Sequence, residues 1–287
     1  MCWPRERSRT RASRAAFDEI ASTTFQGQAL RYARRFGRSS EPPLLVCNGI
    51  GANLELLAPF VAALDDRPVV TFDVPGVGGS PLPRLPYRLH HLARLADRLM
   101  WRLGYAGSID LLGISWGGAL AQQFARDHPQ RCRKLVLAAT SAGVLMVPGR
   151  LSVLRKLASP RRYRDRAYLR RIAAELYGGA LRRDTSLVDR HIAHIEAPHG
   201  LGYFYQLGAI WGWTSLPWLH RLRQPTLVLA GNEDPIVPLI NARILAHLMP
   251  QAQLQVIDDG HLFIVTSAPA VAASVASFLM EPMRGNE

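Results

Sequence analysis

The sequence predicts an α/β fold: a mostly parallel sheet with helices on both faces, interrupted by one helical insertion. Three observations carry this. Short apolar runs alternate with stretches of helical periodicity from about residue 43 to 139, and again from 225 to 279. Several of these runs end in loops rich in Gly, Asn or Asp, the usual punctuation at a strand end. Between 147 and 223 no strand pattern occurs; the segment is arginine-rich and aromatic, with Tyr203, Phe204, Tyr205, Trp211, Trp213 and Trp218.

Residues 22–34 alternate around Gly27 and read as a hairpin. PLLVC (43–47) and PVVTF (68–72) are continuous apolar runs, the pattern of strands buried on both faces. Asn53 is placed to cap a helix over 54–64. The loop 73–80, DVPGVGGS, is permissive in backbone but lacks the lysine of a phosphate-binding loop. A helix over 87–103 is expected from Leu89, Leu92, Leu95 and Leu99, then a strand over 108–112 and a helix over 116–128. KLVLAA (134–139) and PTLVLA (225–230) are strands on either side of the insertion. A helix over 239–249, a strand over 253–257 and a helix over 268–279 complete the chain. The expected division is a basic, disordered extension at 1–20, a core formed by 21–146 and 224–287, and the insertion at 147–223.

With 287 residues, 48% of them hydrophobic, the chain fills one large domain with an insertion, and global disorder is not expected. The net charge is +13, carried by arginine; Lys134 and Lys156 are the only lysines. No helix-turn-helix, zinc or RNA-recognition pattern accompanies it, so no nucleic-acid partner is expected. A solvated basic surface is the simpler account, with an anionic lipid or granule surface as the other. Cys2, Cys47 and Cys132 are odd in number and widely spaced, which points to no disulfide framework and a reducing compartment, with Cys47 a core residue. The first residues are basic without an apolar stretch, so no secretory signal is expected, and no run is long enough to span a membrane. His191, His194 and His199 form a loose cluster without further ligands; neither a metal site nor a cofactor is expected.

The chemistry centres on Gly113-Ile114-Ser115-Trp116-Gly117, between an apolar strand and a helical pattern. This is the strand–turn–helix context of a nucleophile elbow, where glycines two residues either side of the serine relieve a crowded turn. A serine hydroxyl needs a base within hydrogen-bond reach, and the base needs an orienting acid. Asp234 follows the strand 225–230, and His261 follows the strand 253–257. Both fall at the carboxyl edge of the sheet, where open α/β sheets place their sites. Asp258 and Asp259 lie too near His261 in sequence to orient it and read as turn residues. The developing oxyanion needs backbone N–H donors. These are assigned to Trp116, the residue after the nucleophile, and to Ile50, in the loop after PLLVC.

Together these residues resemble the α/β-hydrolase superfamily, and within it the intracellular medium-chain-length poly(3-hydroxyalkanoate) depolymerases. The resemblance is carried by CNGIGANLEL (47–56), FDVPGVGGS (72–80), GISWGGALAQQFA (113–125), KLVLAATSAG (134–143), ASPRRY (158–163) and IDDGHLF (257–263). It implies an α/β-hydrolase fold whose helical insertion is a lid, with Ser115, His261 and Asp234 as nucleophile, base and acid. It implies a serine esterase that releases 3-hydroxyalkanoic acids or oligomers from polyester granules, cytoplasmic and granule-associated, with granule-coat proteins as partners. Part of Trp211, Trp213 and Trp218 is expected to face the acyl-chain cleft, with core of the insertion as the alternative for most of them, and the insertion's arginines are expected to meet the granule coat. Two other readings share the sequence: a small-molecule esterase or carbon–carbon bond hydrolase, and a non-catalytic granule- or membrane-binding protein. Comparative turnover of polyester and soluble esters separates the first, and a serine-directed phosphonate adduct at Ser115 excludes the second.

Overall fold

Strands β1 (Glu19–Phe25) and β2 (Gln28–Arg35) form an antiparallel hairpin. Its two linking residues, Gln26 and Gly27, both have positive φ, as a two-residue hairpin loop requires. The computed structural model describes residues 16–159, 161–194 and 200–283, with the backbone alone at Ala193 and His194. The hairpin is longer at both ends than the alternation predicts. Ala16 and Phe17, placed in the expected extension, are buried in the core; residues 1–15 lie outside the described residues.

Six further strands follow: β3 (Leu44–Cys47), β4 (Val69–Phe72), β5 (Ile109–Ile114), β6 (Cys132–Ala138), β7 (Thr226–Gly231) and β8 (Ala252–Ile257). Among the described residues they make one sheet in the order β1-β2-β4-β3-β5-β6-β7-β8. From β4 to β8 every neighbouring pair is parallel, and β2 joins β4 antiparallel. β3, β4, β5 and β7 are buried at every residue, which is why they read as uninterrupted apolar runs. One face, with Leu45, Phe72, Leu111 and Val228, packs on helices Leu89–Arg102, Trp116–Asp127 and Leu239–Leu248. The other, with Val46, Leu112, Val136 and Leu229, packs on helices Ala58–Ala63 and Ala268–Met280.

The strand order places the site. β3 lies between β4 and β5, so the chain leaves β3 toward one side of the sheet and later leaves β5 toward the other. The connections diverge and open a crevice at the carboxyl ends of these strands. The loop beginning at Asn48 and the turn at Ser115 sit there.

After β6 the chain enters the insertion, which the described residues build from helices Leu151–Ala158, Arg161–Arg164, Arg166–Tyr177, Gly179–Arg183, Thr185–His194 and Gly202–Ile210. A 3-10 turn, Leu216–Arg221, returns it to β7. The insertion has its own core, including Val153, Leu169, Leu176 and Ile192, which joins the rest through Leu56, Ile236 and Val237. The Asn241 side chain pins its entrance, accepting the N–H of Val147 at 2.8 Å and donating to its carbonyl at 2.9 Å. One local expectation changes. The segment from Leu54 begins as a 3-10 turn, and Asn53 makes no side-chain cap; its amide donates to Glu55 at 2.7 Å instead.

Candidate active site

Ser115 makes the whole turn between β5 and the helix Trp116–Asp127. Its backbone, φ 54° and ψ −117°, is strained for a residue with a side chain. Hydrogen bonds hold the strain in place. Its N–H donates to Ala138 at 2.8 Å, and its carbonyl accepts from Gly118 N–H at 2.9 Å and Thr140 Oγ1 at 2.7 Å. Gly117 lets the turn pack against β3, for a Cβ there would lie 2.1 Å from the carbonyl oxygen of Cys47.

His261 and Asp234 meet this serine. His261 Nε2 is 3.1 Å from Ser115 Oγ, and His261 Nδ1 is 2.7 Å from Asp234 Oδ2. The other carboxylate oxygen, Asp234 Oδ1, accepts the N–H groups of Ile236 and Val237 at 2.8 and 2.9 Å. Both carboxylate oxygens therefore have fixed directions. An ionised Asp234 is an acceptor only, so His261 donates through Nδ1 and leaves Nε2 to accept the serine proton. The three residues predicted from strand ends are brought together in the order a hydroxyl nucleophile needs.

Asp259 holds the histidine loop. Its buried carboxylate accepts the N–H groups of Ala180 and Gly260 at 2.7 and 2.6 Å, and the hydroxyls of Thr266 and Ser267 at 2.6 and 2.8 Å. Burial opposes its charge, but these four donors keep its pKa below the usual carboxylate range. His261 N–H donates to Tyr177 O at 2.8 Å, so the insertion also bears on this loop.

Among the described residues, the N–H groups of Ile50 and Trp116 have no protein acceptor, which leaves them available to a developing oxyanion. Ile50 and Ser115 line a cavity of about 70 Å³ that also meets Arg162, Tyr163, His191 and His261. The volume is several-fold below the ~300–1,000 Å³ of typical ligand pockets.

The three tryptophans lie elsewhere. Trp211 ends the helix Gly202–Ile210 and is 79% exposed. Trp218 is 7% exposed and packs in the core against Trp213, with ring centroids 5.9 Å apart. Trp213 Nε1 donates to Gln123 at 2.7 Å. None of them lines the cavity. Aromatic clustering before β7 marks how the insertion is seated on the sheet, and for Trp211 an outward face. Of the histidine cluster, His191 lines the cavity, while the side chain of His194 and all of His199 lie outside the described residues. Among the described residues no group of three His, Cys, Asp or Glu side chains is arranged to hold a metal ion.

Three insertion residues escape sequence reasoning. Gln206 is fully buried, and its Oε1 accepts Gly51 N–H at 2.7 Å. Its carbonyl accepts the indole N–H of Trp116 at 2.9 Å. Tyr163 donates its hydroxyl to Ile50 O at 2.5 Å. Its ring lies against Gly51, where a Cβ would come within 2.7 Å of it at a φ of +68°. Arg162, second of an arginine doublet that reads as solvated, is only 2% exposed. The ASPRRY stretch is the one signal in the sequence that could have singled it out.

The alpha/beta hydrolase fold family matches residues 42–268. A poly(3-hydroxyalkanoate) depolymerase of Ectopseudomonas oleovorans is 55% identical over 255 residues, 88% of this chain and 90% of that protein. The 3-oxoadipate enol-lactonase 2 of Acinetobacter baylyi is 26% identical over 89% of this chain and 95% of its own length. The crystal structure of a hydrolase from Pseudomonas aeruginosa superposes with a TM-score of 0.78 at 27% identity, covering 92% of this chain and 99% of that one.

Proposed function

The chain belongs to the alpha/beta hydrolase family, and from that premise we propose that it is a serine hydrolase cleaving the ester bonds of poly(3-hydroxyalkanoate), of medium side-chain length. The observation that carries the substrate is the 55% identity to a poly(3-hydroxyalkanoate) depolymerase, which extends over 88% of the chain. The geometry supports the chemistry. Ser115 Oγ attacks the ester carbonyl carbon while His261 Nε2 takes its proton. Asp234 steadies the imidazolium, and the N–H groups of Ile50 and Trp116 meet the oxyanion, each donor worth about 2.7–4 kcal/mol. The ester C–O bond then breaks, and His261 returns the proton to the departing hydroxyl. Water, deprotonated by the same histidine, releases the 3-hydroxy acid from the acyl-enzyme.

The insertion acts as a lid in this reading, because a cavity of about 70 Å³ does not admit a polymer segment without its movement. Granule association belongs to the same proposal. Leu201, Phe204 and Trp211 on the insertion and Leu82 and Leu85 on the neighbouring loop are exposed apolar side chains. Arg88 ties that loop to the insertion, donating to the carbonyls of Gly208 and Trp211. No helix among the described residues is long and apolar enough to cross a membrane, and a polyester surface needs only adsorption. The test is purified enzyme on emulsified polyesters of short and medium side-chain length, with products sized. Release of 3-hydroxyoctanoic acid or its oligomers is expected; soluble-ester turnover without polymer loss would refute the polyester assignment.

A further inference from the structure

Arg162 carries a positive charge into the wall of the cavity that holds Ser115 and His261. Among the described residues no aspartate or glutamate pairs with it. Its Nη1 donates to Tyr203 Oη at 3.1 Å and to the carbonyl of Leu157, and its Nη2 donates to Tyr163 Oη at 3.0 Å. The guanidinium lies over the Tyr163 ring at 4.5 Å and within 5.3 Å of the Tyr203 ring centroid. Burial pushes the Tyr203 phenol up to about 12, so that partner carries no charge near pH 7. Its Nε–H is buried and has no acceptor among the described residues. A buried guanidinium with no carboxylate beside it and a spare donor lacks a counter-charge, and the fork geometry of arginine suits a carboxylate.

We propose that Arg162 binds the free carboxylate of an acid-terminated ester, so that the site favours esters whose leaving alcohol is itself a 3-hydroxy acid. This rests on the ester-hydrolase reading above and specifies which esters the site prefers. In such a substrate the carboxylate carbon is three bonds from the scissile oxygen, so once the insertion moves to admit the ester, both groups can reach the wall that Ser115 and Arg162 share. Arg162 is also linked through Tyr163 to the carbonyl of Ile50, so the anion would seat beside the loop that supplies an oxyanion donor. The covalent step is unchanged: Ser115 Oγ gains the acyl group, the C–O bond to the hydroxy acid breaks, and His261 protonates that oxygen. The carboxylate stays ionised throughout.

The experiment compares the linear dimer of 3-hydroxyoctanoic acid with its methyl ester, using the full chain. Wild type should prefer the free acid in kcat/KM by about 10- to 100-fold, the range of a hydrogen bond to a charged group. Arg162→Gln should bring the ratio within about twofold of unity, while Arg162→Lys, a point charge without the fork, retains an intermediate ratio. A wild type with no preference, or Arg162→Gln with the full preference, overturns the proposal. The wild type also gives a test that needs no folded variant. Inhibition by 3-hydroxyoctanoate should exceed that by its methyl ester by about 10-fold or more, and equal inhibition overturns the proposal. Hydrolysis of neither dimer would instead defeat the underlying ester-hydrolase reading, and this inference with it.

Discussion

The side-chain oxygen of Gln206 accepts the N–H of Gly51 at 2.7 Å, although the two residues are 155 positions apart. The Ile50–Gly51 peptide is held from its other side by Tyr163, which donates to its carbonyl at 2.5 Å. Both clamps come from the insertion. Because the Gln206 carbonyl also receives the Trp116 indole, one insertion residue touches both segments that carry a proposed oxyanion donor.

Gln206→Leu is therefore expected to lower kcat on a soluble octanoate ester by about 10- to 100-fold, part of the loss seen when an oxyanion donor is deleted outright. KM should change by less than about threefold, because the clamp serves the transition state more than the ground state. Gln206→Glu, which keeps the acceptor, should recover most of the rate. Steady-state kinetics on the three proteins checks this, and a loss confined to KM would count against it.

Ser115→Ala and His261→Ala should fold with melting temperatures within a few degrees of wild type and lose about four to six orders of magnitude in kcat. Asp234→Asn should lose roughly 10⁴-fold, since an amide misdirects the imidazole tautomer. Hydrolysis rates beside thermal melts separate lost chemistry from lost fold. Near wild-type turnover in any of the three would remove that residue from the mechanism.

Asp259 sets an acid limit. Its folded pKa lies below the ordinary value of about 3.9. The stability it contributes is therefore present above that pH and is lost as the pH falls through the lower folded value. At pH 7, Asp259→Asn should cost about 1–3 kcal/mol, because the amide replaces an acceptor oxygen with a donor facing buried donors. The gap between wild type and variant should narrow below about pH 4 as wild type loses the same charge. Urea melts from pH 7 to pH 3 read both, and a gap independent of pH would refute the account.

The exposed apolar face predicts a split between surface and solution activity. Replacing Leu201, Phe204 and Trp211 together by Ser should reduce binding to medium-chain polyester beads by about 10-fold or more, each buried apolar side chain being worth about 1.5–3 kcal/mol. Turnover of a soluble octanoate ester should stay within about twofold. Sedimentation of protein with beads, beside soluble-ester kinetics, checks this; unchanged bead binding would leave the face without that role.

Much of this site was legible because its residues follow strand ends. Continuous apolar runs such as β5 and β7 report burial on both faces, and the residue after such a strand falls at the carboxyl edge of the sheet. Ser115, Asp234 and His261 were readable in this way. Arg162, Tyr163 and Gln206 were not, because each acts through a helix whose orientation over the sheet leaves no mark in local periodicity. The tryptophans show the same limit from the other side: their clustering was visible, but whether each faced the cleft, the core or solvent was not. Asp259 reads as a turn residue: of its four donors only Gly260 N–H is a chain neighbour, and the others come from the insertion and from the segment Thr266–Ser267 that leads into the final helix.

The separation of Ser115 and His261 along the chain, 146 residues, also bears on how the molecule assembles. Closing that contact requires the β-α core to form, the insertion to loop out, β7 to dock on β6 and β8 on β7. Loop-closure entropy puts such a long-range pairing late. Recovered hydrolysis on refolding should consequently trail recovered helical signal, so the reaction times the last docking event of the chain.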